Sequence, residues 1–119
     1  MVKPREIVGG RGSSPWAERP SPAVSTEIAI DNRASASQTV IEIVTRDRPG
    51  LLFALANALH ELGLSIAVAK INTEGNRVAD VFYVTEAGGA KIEPGARTQE
   101  IRGRLIEVLE DLAKEGKQT

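Results

Sequence analysis

The clearest run of alternation along the chain is Thr39-Val40-Ile41-Glu42-Ile43-Val44, β-branched around a single glutamate, which predicts a half-buried strand. After it the period changes. Leu51, Leu52, Leu55, Leu59 and Leu62 recur at helical spacing, with Ala56 and Ala58 as small neighbours that allow close approach to a sheet, and Gly63 stops the helix. His60 falls off that stripe and reads as a solvated histidine. Upstream, Thr26-Glu27-Ile28-Ala29-Ile30 alternates up to the turn pair Asp31-Asn32, predicting a short strand that pairs antiparallel with the next through a small polar surface loop over 32–38. Downstream, 65–73 and 77–85 flank Glu74-Gly75-Asn76 and read as a hairpin. The apolar phase slips within its first strand, since Ile66 is even while Ala69 and Ile71 are odd. A bulge near Ala67 and Val68 accounts for the slip. Beyond Gly88-Gly89 and Pro94-Gly95, Ile101, Leu105, Val108, Leu109 and Leu112 form a second helical stripe. Arg97, Glu100, Arg102, Arg104, Glu107 and Glu110 decorate its other face.

The predicted order is strand-strand-helix-strand-strand-helix. Two amphipathic helices need a partner and one sheet supplies it, so the expected fold is α+β: a ferredoxin-like two-layer sandwich, with a four-stranded antiparallel sheet covered on one face by both helices. The usual version runs strand-helix-strand-strand-helix-strand, and its last strand lies beside the first. Here nothing remains after the second helix for that strand, and the strand before residue 31 takes the same edge from the N-terminal side, a permuted order.

Composition narrows the function classes. The 119 residues carry 15 basic against 16 acidic side chains, a net charge of −1, so no general attraction to nucleic acid or an anionic membrane is expected. No apolar run is long enough to span a membrane, and the expected location is cytoplasmic. Without cysteine, and with one histidine, thiolate chemistry is excluded and no metal site or cofactor is expected. An RNA-binding sheet of this topology would want adjacent exposed aromatics, whereas Phe82 and Tyr83 alternate to opposite faces. Residues 1–23, broken by Pro4, Gly9, Gly10, Pro15 and Pro20, read as a flexible linker around a lone Trp16; 24–115 form the domain, and 116–119 a disordered C-terminus.

The candidate chemistry lies in Thr45-Arg46-Asp47-Arg48-Pro49-Gly50-Leu51-Leu52, the turn from strand to helix. Pro49 fits the first helical position and Gly50 permits close approach, which leaves a helix N-terminus whose amides favour an anion. The same residues also serve as a plain helix start signal.

Taken with Leu62-Gly63-Leu64-Ser65-Ile66 and Asn76-Arg77-Val78-Ala79-Asp80-Val81-Phe82-Tyr83-Val84, this turn resembles the ACT domain. More narrowly it is similar to the C-terminal ACT domain of the bifunctional PII uridylyltransferase and uridylyl-removing enzymes of bacterial nitrogen control. In that subfamily an extra strand precedes the domain and ends in a segment like Ile30-Asp31-Asn32-Arg33-Ala34-Ser35. The resemblance implies a regulatory domain that binds an amino acid, glutamine first, where two copies meet. It implies a site of Thr45, Asp47, Pro49, Gly50, Leu51 and Leu52 at the turn, with Ser65 and Ile66 across it from a neighbour. Helix-start amides would take the ligand carboxylate and Asp47 its ammonium. Other ACT domains present Asn where this chain has Ser65. The implied partners are a homodimer mate or tandem ACT domain and a parent catalytic domain; a ligand-free interaction module and a stand-alone regulator are the alternatives. Nucleotidyl transfer would need paired aspartates by a Gly-Ser turn, and the hydrolytic reaction a His-Asp metal cluster. The chain has neither and reads as non-catalytic.

Overall fold

The computed structural model describes residues 25–117, with side chains through 115, together with the short backbone pairs Ser13–Ser14 and Trp16–Ala17. The linker expected over 1–23, with Trp16 in it, and the disordered end expected over 116–119 lie outside the fully described residues. Strands β1 (Glu27–Asp31), β2 (Thr39–Arg46), β3 (Leu64–Glu74) and β4 (Arg77–Glu86) form one sheet in the order β1-β2-β4-β3, antiparallel throughout. Helices α1 (Leu51–Glu61) and α2 (Ala96–Lys117) complete the permuted ferredoxin-like sandwich.

Alternation decides which side chains meet the helices. On β4, Val78, Asp80, Phe82 and Val84 are buried, opposite Thr45, Ile43, Ile41 and Thr39 of β2. Leu51, Leu55, Ala58 and Leu59 from α1 and Ile101, Leu105, Val108 and Leu109 from α2 close over them into one core. The bulge is present. Ile66 pairs with Val84 but Val68 with Tyr83, so Ala67 is the extra residue and the side-chain phase of β3 reverses there.

Three expectations are corrected. Leu52 is not core: it lies 36% exposed at the edge of the α1 stripe. The loop over 32–38 is more than a surface connection, because it clamps the approach to α2. Buried Thr39 accepts from the Ile92 N–H at 2.9 Å and donates to Asn32, Asn32 Nδ2 donates to the Ile92 carbonyl at 2.8 Å, and Lys91 Nζ donates to the Asn32 carbonyl at 2.7 Å. Ile92, in a stretch that reads as a plain connection, is thereby held in the core at 1% exposure. Arg97, assigned to the solvated face of α2, instead bridges three elements. It donates to both carboxylate oxygens of Glu86 at 2.9 and 3.0 Å, to Glu100 at 2.9 Å, and to the Leu62 carbonyl at the end of α1.

Candidate functional site

The β2–α1 turn has a definite local cause. Leu51 N–H donates to the Arg48 carbonyl at 3.2 Å, and Gly50 adopts φ 77°, ψ 3°, so Arg48 to Leu51 form a type II turn with Pro49 and Gly50 at its centre. Pro49 therefore precedes the helix rather than opening it, and Gly50 is the cap; this corrects the placement of Pro49 at the first helical position. Gly50 has no capping side chain, and its carbonyl receives the Ala54 N–H at 3.0 Å. The amides of Leu52 and Phe53 have no backbone acceptor, so the exposed positive end of α1 is confined to these two groups. Asp47 N–H donates to the Asn76 carbonyl at 2.8 Å, which ties the turn to the tip of the β3–β4 hairpin.

Between turn and hairpin lies a cavity of about 270 Å³. Asp47, Gly50, Leu51 and Leu52 line it, so four of the eight site residues implied by the sequence come together here. The others do not join them in one chain. Pro49 sits in the same turn but off the cavity wall. Thr45 is buried and shares a 2.9 Å hydroxyl–hydroxyl hydrogen bond with Thr26, on the wall of a separate groove of about 480 Å³ beside Leu109 and Ala113. Ser65 and Ile66 pair with Thr85 and Val84 towards the other end of the hairpin, whereas Ile71, on the cavity wall, pairs with Asp80. The five residue steps from Asp80 to Thr85 span roughly 17 Å at the usual rise of a strand.

Phe53, Ile71 and Asp80 line the cavity too, and sequence reasoning missed all three. Phe53 and Ile71 are 76% and 53% exposed, an apolar rim. Asp80 is 1% exposed, and neither carboxylate oxygen has a hydrogen-bond partner. Burial first, and the negative charge of Asp47 second, hold its carboxyl above the usual carboxylate range. A signal was available in the strand itself: Val78, Asp80, Phe82 and Val84 share the buried phase, and one of the four is an acid. Among the described residues no group of three or more His, Cys, Asp or Glu is placed to hold a metal ion.

With two helices covering a four-stranded sheet and a cavity at the first strand-to-helix turn, the chain matches the ACT domain family model over residues 39–100. The chain belongs to the ACT domain family. It is similar to segments of proteins named bifunctional uridylyltransferase/uridylyl-removing enzyme. The identity is 47% over 88 residues in Azospirillum brasilense, covering 74% of this chain and 9% of the relative. In Novosphingobium aromaticivorans it is 46% over 84 residues, covering 71% and 9%. In Nitrobacter hamburgensis it is 40% over 104 residues, covering 87% and 11%. The chain thus spans about a tenth of the length of these relatives. No solved structure matches it.

Proposed function

We propose that this chain is a regulatory ACT domain that binds an amino acid, with glutamine the first to test, where two domains meet, and so controls a uridylyltransferase/uridylyl-removing enzyme. The observation that carries the reading is the cavity itself, which sets the Asp47 carboxylate beside the first turn of α1, where two amides stand free. An amino acid offers one ammonium and one carboxylate to those two poles. The positions of Ser65 and Ile66 fit a two-domain site. The sheet has two edge strands, β1 and β3, and β3 is the one that carries Ser65, Ile66 and the cavity residue Ile71. If β3 of a second copy paired antiparallel about Ala69, Ser65 of that copy would lie opposite Thr73, beside the cavity. The exposed rim of Leu52, Phe53 and Ile71 would be covered by the same approach. Non-catalytic control follows from the family's regulatory character.

The test is calorimetric titration of the chain with glutamine, glutamate and leucine, beside sedimentation velocity at the same concentrations. Saturable heat with glutamine alone, in a sample that sediments as a dimer and loses that heat on Asp47→Ala, is the expected result. Absence of heat with all three from a folded dimer would reduce the reading to the interaction module that the apolar rim independently favours.

A further inference from the structure

An orphaned acid in a core needs a reason, because a buried polar group without a partner costs more than the hydrogen bond it lacks. Asp80 has no internal reason. Its neighbours across the sheet are Ile43 and Ile71, and no side chain or amide donates to either oxygen. What it faces is the cavity at the β2–α1 turn, whose other acid is Asp47. Two carboxylates line this cavity, one exposed at its mouth and one buried, against one cationic side chain, Arg48, so the acids outnumber the bases and leave a place for a further cation. With no third ligating side chain among the described residues, they are too few for a divalent metal and suit an organic ammonium. The free amides of Leu52 and Phe53, on the first turn of α1 at the same cavity, suit an anion.

The geometry points to Asp80 as the ammonium-binding residue of the site: its buried carboxylate, with Asp47 at the mouth, takes the α-ammonium of an amino acid whose carboxylate lies on the Leu52 and Phe53 amides. The assignment rests on the amino-acid-binding reading above and adds the group on which that ligand is selected. Asp47 is exposed, so water competes with any charge it meets. Asp80 has no such competitor, and a ligand lacking an ammonium leaves it unpaired, which is how a buried polar group rejects an analogue strongly. Seating the ligand requires side chains of the cavity wall to shift, since the Asp80 oxygens are shut off from water. Ile71 and Phe53 then offer apolar surface to the ligand's side chain.

The experiment compares the 119-residue chain with Asp80→Asn and Asp47→Asn, each titrated with glutamine, glutamate, leucine and the deaminated analogue of whichever amino acid binds the parent. Asp80→Asn is expected to weaken binding of that amino acid by roughly 10- to 100-fold, the worth of a charge-assisted hydrogen bond. It should leave binding of the deaminated analogue unchanged and the thermal midpoint no lower. Asp47→Asn should cost less than Asp80→Asn. Parent-like affinity in a folded Asp80→Asn overturns the assignment while the amino-acid reading stands. So does an equal loss for the amino acid and its deaminated analogue, which would make Asp80 a general support of the cavity. No saturable binding of any of the three amino acids to the parent overturns the reading and the assignment together.

Discussion

Asp80 sets an opposition between stability and recognition at a single residue. Its folded pKa stands above the ordinary value of 3.8, from burial and then from Asp47. In the unfolded chain the carboxyl loses its proton near the ordinary value, while in the folded chain it keeps the proton to higher pH. Between the two the native state binds more protons, so stability falls as pH rises through that window and stays reduced above it. Two charged groups share the cavity with it, Asp47, which adds to the shift, and Arg48. Asp80→Asn is therefore expected to stabilise the ligand-free domain at neutral pH, with no gain below the ordinary carboxylate range. Urea titrations at several pH values would check this, and a neutral-pH loss of stability on substitution would contradict it. The acid stands in the sequence where alternation demands an apolar residue. It does not read as a site because one polar residue in a β-rich run is equally the mark of an exposed position.

At the scale of elements, most of the architecture was legible because each strand and helix shows its own period. The bulge was legible for the same reason, as a slip of phase between Ile66 and Ala69. What escaped reading depends on contacts between segments far apart in sequence. Arg97 lies on the polar face of α2 by periodicity, yet 11 residues separate it from Glu86 and 35 from Leu62, and only the packed fold brings them within reach. The Asn32, Thr39 and Ile92 clamp spans 60 residues in the same way. Of the candidate site, the turn was legible from Pro-Gly after a strand, whereas the wall supplied by β3 and β4 was not. Arg97 holds the start of α2 to the end of β4 and to the last turn of α1, and its side chain is 23% exposed. Arg97→Met should therefore destabilise the domain by about 1–3 kcal/mol, and Arg97→Lys, which lacks the planar fork, should recover only part of it. Chemical denaturation of the two variants tests this; equal stability of all three proteins would show the bridge to be incidental.

At the scale of the molecule, the sheet ends in two edge strands, the 5-residue β1 and the 11-residue β3. Antiparallel pairing of β3 with β3 is isologous, so each copy uses its β3 edge on one partner and that contact joins two copies. Self-association through β3 is thus expected to give a dimer. Phe53, 76% exposed beside that edge, is the residue on which to test it. Phe53→Asp should shift sedimentation from dimer to monomer without loss of secondary structure. A monomeric parent would remove the case for the pairing.

The start of β1 and the end of α2 have a consequence for how such a domain sits in a longer polypeptide. Thr26 and Ala113 line one groove, at the pole of the sandwich where β2 runs into its turn. The start of β1 and the last turns of α2 therefore lie side by side, next to the cavity, with Arg48 lining both. A unit with adjacent ends can be spliced into a host's surface loop without stretching it. A change at the β2–α1 turn would reach both splice points over the same short path, so a pair of fluorophores placed there would report on the cavity directly.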